Sequence, residues 1–183
     1  MAIKRMLIDG HGQVELNQVA FRRDGRIEAQ CALDPVDFAD MSAENGMILA
    51  VDNVSRTIKL PVEGSDLPLA LNYTTEHMYD ERHQSLKNFK LDIADGFYPR
   101  LGYLAVGDKF ITNCIAYDDG EFADEAAIEE AYASLYGTSC ENGAILVSAT
   151  KPESGVVLKA INGTSAGSMP DGQFGIKFQV INL

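Results

Sequence analysis

The side chains most densely equipped for chemistry are His77-Met78-Tyr79-Asp80-Glu81-Arg82-His83, two imidazoles and two carboxylates within seven residues. Imidazole and carboxylate are ordinary ligands of zinc and other transition metals. The spacing weighs against one ion. Histidines six positions apart do not share a helical face as an i, i+4 pair does. In a strand they share a face but stand ~20 Å apart at ~3.3 Å per residue. A structural or interface role suits the cluster better, with a metal-dependent enzyme as the competing reading. His11, between Gly10 and Gly12, has no partner nearby in sequence. Asp118-Asp119-Gly120-Glu121 contains pieces of a calcium loop without its alternating acidic register, so a capping turn is expected there. The Gly-rich strings at 10–12 and 163–167 lack the lysine and the strand–loop–helix context of a phosphate loop. The chain therefore reads as non-enzymatic, with no catalytic residue, metal or cofactor assigned.

Three cysteines, Cys31, Cys114 and Cys140, are an odd number without C-x-x-C spacing. Each has small or apolar neighbours, which predicts buried free thiols in a chain folded in a reducing cytoplasm. The net charge of −12 excludes a typical nucleic-acid binder and an anionic membrane surface, because both partners attract clustered Lys and Arg. No window reaches the ~20 apolar residues of a membrane span, and the start has no apolar run of signal-peptide length. Residues 1–30 carry five basic and four acidic groups, net +1, which leaves −13 on the remainder. A near-neutral leader on an acidic body suggests an arm that docks on an acidic neighbour.

The elements that must position these groups are mostly strands. QVAFRR, Asp24-Gly25 and RIEAQCAL read as a hairpin, with Val19, Phe21, Ile27, Ala29, Cys31 and Leu33 at period two. Glu-Asn-Gly occurs twice, at 44–46 and 141–143, each copy directly before an apolar run, a turn and a second run. That repeat predicts two superimposable hairpins, 47–60 and 144–161. Strand patterns also cover 69–79, two segments within 99–120 joined through Val106-Gly107-Asp108, and a C-terminal run with Phe174, Ile176, Phe178 and Val180 in alternation. One helix is expected at about 121–136, with Asp118 or Asp119 as N-cap, Gly137 as C′ residue and Ile128, Tyr132, Leu135 and Tyr136 as its apolar stripe. Residues 162–172 read as a loop. The fold class is mainly β: a barrel or sandwich of short antiparallel strands with one helix. Residues 1–33 form an N-terminal hairpin arm, and 34–183 a barrel-like body.

Four phrases carry a resemblance. E-N-G-M-I-L-A-V-D at 44–52, T-E-H-M-Y-D-E-R at 75–82, L-x-V-G-D-x-F-x-T-N at 104–113 and P-D-G-Q-F-G-I-K-F-Q-V-I at 170–181 resemble small structural proteins of tailed bacteriophages that decorate or cement the head. The resemblance implies a virion protein made in the host cytoplasm. It would bind the outer capsid surface through the major capsid protein, stabilise the shell and assemble as a homo-oligomer, a trimer being favoured. It supplies no site residues. Candidate contacts come from interface preference for Arg, Tyr and Phe: Phe21, Arg22, Arg23 and Arg26 on the first hairpin, then His77, Tyr79, Arg82 and His83. The alternative is a carbohydrate- or receptor-binding β module of a tail or fibre, using Tyr73, Tyr79, Tyr98 and Tyr103 as a platform.

Overall fold

The structure, a computed structural model, describes residues 2–7, 10–14, 25–74, 90–96, 98–161, 169 and 173–183. In chain order the strands are β1 (Ile3–Met6), β2 (Ile27–Glu28), β3 (Ala32–Leu33), β4 (Ala43–Glu44), β5 (Ile48–Asp52), β6 (Thr57–Lys59), β7 (Leu69–Asn72) and β8 (Lys90–Leu91). They continue as β9 (Leu101–Tyr103), β10 (Lys109–Thr112), β11 (Ile115–Asp118), β12 (Tyr136–Ser139), β13 (Ile145–Ser148), β14 (Val157–Ala160) and β15 (Ile176–Asn182), with helix α1 (Glu125–Ala131) between β11 and β12. A seven-stranded sheet runs β1-β11-β13-β12-β14-β15-β10, a six-stranded sheet β2-β9-β7-β5-β6-β3, and β4 pairs with β8.

The architecture is mainly β and sandwich-like, without a closed barrel among the described residues. The six-stranded sheet is nevertheless strongly curved. Its edges, β2 and β3, are joined by residues 29–31 alone, so Glu28 and Ala32 lie within about 15 Å at 3.8 Å per Cα step. Six flat strands would hold those edges about 24 Å apart. Most ladders are antiparallel, as expected, but β11 runs parallel to β13 and β3 parallel to β6.

Period-two side chains fill two cores. Alternate residues of one strand enter different ones: Ile48 goes into the first, and Leu49 and Val51 into the second. The same split separates Ile145 and Val147 from Leu146, which packs against the second core. Phe174, Ile176, Phe178 and Val180 all join the first core, as their alternation predicts. Ile128 of α1 seals that core beside Leu135.

Four local expectations are corrected. β5 and β6 form the hairpin expected over 47–60, its turn held by Asp52 Oδ1, which accepts from Val54 N at 3.0 Å and Ser55 N at 3.1 Å. Residues 144–161 do not form its counterpart, because β12 lies between β13 and β14 and pairs with both. The hairpin there is β12–β13, closed through Cys140–Ala144, so the phrase repeat is no structural duplication. The helix starts later than expected and caps on Asp124, whose Oδ1 accepts from Ala127 N at 3.0 Å. Asp118 instead ends β11 and turns the chain by accepting from Gly120 N at 2.8 Å. Gly137 belongs to β12, where an added Cβ would come within 2.6 Å of Ile145 Cγ2.

The fourth correction concerns the leader. Along its described length it belongs to the core of the fold: β1 pairs with β11, β2 with β9 and β3 with β6, and Met6, Val14, Cys31 and Leu33 are buried. RIEAQCAL thus supplies two short strands on opposite edges of one sheet. The first strand of the expected hairpin, within 15–24, lies outside the described residues.

Candidate functional site

Arg26 is the one interface candidate among the described residues; Phe21, Arg22, Arg23, His77, Tyr79, Arg82 and His83 lie outside them. Arg26 Nη2 donates to Asp108 Oδ1 at 2.7 Å and Nη1 to Tyr103 O at 2.9 Å. Asp108 is buried and its second oxygen accepts from Ala105 N at 2.8 Å. The guanidinium thereby staples the crossing from β9 to β10, where the chain leaves one sheet for the other. The tyrosine platform is not assembled among the described residues. Tyr73 is a core residue, Tyr103 is half-buried with its hydroxyl against Asn53 Nδ2 at 3.2 Å, and Tyr98 is exposed.

Two polar regions stand out, and the sequence signalled neither. The first is interior, where β1, β4 and the β10–β11 corner converge. Arg5 Nη2 donates to Glu44 Oε2 at 2.7 Å and to Cys114 Sγ at 3.4 Å, and Gly12 N donates to the same Glu44 oxygen at 2.7 Å. Gln13 N donates to Asn113 Oδ1 at 2.7 Å, and the Thr112 hydroxyl donates to Gln13 O. Close backbone approach makes this possible: an added Cβ on Gly12 would come within 2.5 Å of Cys114 Cβ. Burial pushes the Cys114 thiol up to about 12, and the neighbouring Arg5 charge offsets only part of this. Burial alone would lower the Arg5 pKa; Cys114 and Glu44 outweigh it and raise the value, so the guanidinium stays charged. A protonated thiol beside a permanently charged, paired guanidinium offers no nucleophile at neutral pH. The arrangement is a joint.

The second region is a surface groove of about 970 Å³ between the loop joining β6 to β7 and the loop joining β13 to β14. Ala50, Leu69, Leu104 and Leu146 contribute apolar surface, and Glu63, Asp66, Glu141 and Glu153 bring four carboxylates. Among the lining residues there is no lysine, arginine or histidine. The two loops that carry Glu63, Asp66 and Glu153 are built by proline and glycine, Pro61, Gly64 and Pro68 on one side and Pro152 and Gly155 on the other, while Glu141 comes from the turn between β12 and β13. Gly64 and Gly155 take φ of 76° and 71°, a left-handed backbone that favours glycine. The groove thus combines apolar walls with an acidic rim. Among the described residues no three His, Cys, Asp or Glu side chains are grouped to share a metal ion, and no helix is long and apolar enough to cross a membrane.

Comparison of the chain with protein-family models, curated proteins and solved structures finds no match.

Proposed function

We propose that this chain is a non-enzymatic structural protein of a tailed-phage virion, which binds the outer capsid surface and stabilises the head. The reading rests first on the four phrases that resemble head-decorating proteins. The observation that carries it furthest is the groove, an open, acidic and partly apolar recess formed by loops of the β scaffold. Such a surface suits a polypeptide partner, and the partner of a decorating protein is the major capsid protein. Seating one copy over several shell subunits multiplies modest contacts into avidity, which a homo-oligomer, a trimer being favoured, would extend. Two of the phrases fall on structural joints: 44–52 covers the turn into β5, and 104–113 covers the sheet-to-sheet crossing and β10.

Protein mass spectrometry of purified virions with copy-number measurement tests the proposal. Hundreds of copies per particle, together with binding of the purified chain to mature capsids, are expected. A handful of copies would favour the tail or fibre reading instead. Capsids that lack the chain yet resist heat as well as those that carry it would overturn the stabilising role.

A further inference from the structure

We infer that the groove receives an extended cationic and apolar polypeptide segment; its source, a shell subunit, rests on the capsid-surface reading, whereas its chemistry does not. The four carboxylates, Glu63, Asp66, Glu141 and Glu153, are all exposed and make no hydrogen bond or ion pair among the described residues. Several other acids of the fold are already engaged. Glu44 holds Arg5, Asp52 holds Lys59 at 3.2 Å, Asp108 holds Arg26, and Glu121 accepts from Ala149 N at 2.6 Å. Four like charges around one recess without a lining cation create a negative potential that draws in and orients a cation. The groove also carries exposed apolar groups: Val62 is 69% and Leu183 53% exposed. A strand-like segment alternating basic and apolar residues satisfies both features at once, because its period of two sends one set of side chains to the apolar walls and the other to the acids. The sign of the charge disfavours nucleic acid and anionic lipid as occupants.

The test uses the full chain and a dye-labelled peptide, Lys-Leu-Lys-Val-Lys-Leu-Lys, followed by fluorescence anisotropy. Saturable binding is expected, about tenfold weaker in an E63Q/D66N/E141Q/E153Q variant and unchanged in an E125Q/E129Q/E130Q variant of α1. Circular dichroism should show both variants folded, since every substituted side chain is outside the core. A Lys-Gly-Lys-Gly-Lys-Gly-Lys peptide that binds equally well would overturn the apolar half of the inference. Undiminished binding of the first peptide by the quadruple variant, or no binding to the native chain, would overturn the whole. Mature capsids separate the two claims. If the native chain binds capsids and the quadruple variant binds as tightly, the groove inference fails while the decorating role stands. If the native chain does not bind capsids, the role fails and the peptide titration still decides the groove.

Discussion

The two Glu-Asn-Gly turns share three residues and a left-handed glycine, Gly46 at φ 90° and Gly143 at φ 79°, and they meet in space through Ile48 N donating to Gly143 O at 2.8 Å. Their side chains have opposite fates. Glu44 is drawn inward to Arg5 and the Gly12 amide, whereas Glu141 stands in solvent on the groove. Asn45 is 2% exposed and its Nδ2 donates to Thr74 O at 2.9 Å, tying the turn to the end of β7. Among the described residues Asn142 serves its own turn alone, with Oδ1 accepting from Ala144 N at 2.9 Å. An added Cβ at Gly46 would strike Thr112 Oγ1 and come within 2.8 Å of Cys114 Cβ. At Gly143 the nearest atoms are Leu49 Cδ2 at 3.1 Å and Met47 Sδ at 3.3 Å, the ends of flexible side chains. One local code thus builds an interior joint and a surface hairpin. Its energetic weight comes from the neighbours.

The contrast breaks most visibly at Glu44. Glu44→Gln leaves the Arg5 guanidinium largely buried without its counter-charge, and a loss of about 3 kcal/mol in urea unfolding is expected. Adding Arg5→Met should recover part of that loss, because the stranded charge is then gone. No recovery in the double variant would show that Arg5 contributes through packing alone. Gly46→Ala is expected to cost about 3 kcal/mol, combining a positive φ with overpacking against Thr112 and Cys114. The joint also has a pH signature. The Cys114 pKa is raised from 9.0 to about 12, so its contribution to stability is fully present below 9.0 and is lost as pH rises toward about 12. Cys114→Ala should flatten the fall of stability across that alkaline window, and Ellman's reagent should modify the half-buried Cys140 before Cys114 in the native chain.

The hairpin turn gives the smaller numbers. Gly143→Ala keeps the left-handed strain, while Leu49 and Met47 can shift by a few tenths of an ångström, so about 1 kcal/mol is expected. A loss equal to that of Gly46→Ala would mean that the contact with Ile48 N, and not the space around each glycine, sets the cost.

Periodicity recorded burial well and neighbours poorly. The alternation from Phe174 to Val180 announced a locked strand, and its four side chains are in one core. The apolar runs around Asn53-Val54-Ser55-Arg56 announced a hairpin, which β5 and β6 form. The same signal over 144–161 misled, because an apolar run says that a strand pairs with something and never with what. There the five-residue hairpin loop after β12 competes with the longer loop after β13, and the shorter closure takes the ladder. Parallel pairing of β11 with β13 rests on contacts that no local pattern encodes. The helix was legible from its alanines and Ile128, but its start was misplaced because Asp118, Asp119 and Asp124 are chemically equivalent caps until β11 claims the first. The groove was illegible for a related reason. Glu63 and Glu153 lie in ordinary turn-forming loops, far apart in sequence, and only the tertiary fold brings them to one recess.

Glu141→Gln tests the comparison at its weakest point. The side chain is exposed and has no partner among the described residues, so unfolding stability should change by no more than about 0.5 kcal/mol. Because it is one of four charges around the groove, its removal should weaken cationic-peptide binding about twofold, which is too small to see in stability and measurable in anisotropy. The same chemical change at Glu44 should act the other way round, with a large loss of stability and no effect on peptide affinity under conditions where the variant remains folded. If Glu141→Gln instead destabilised the chain as Glu44→Gln does, the two turns would be equivalent joints, and the carboxylate at 141 would be holding the hairpin together.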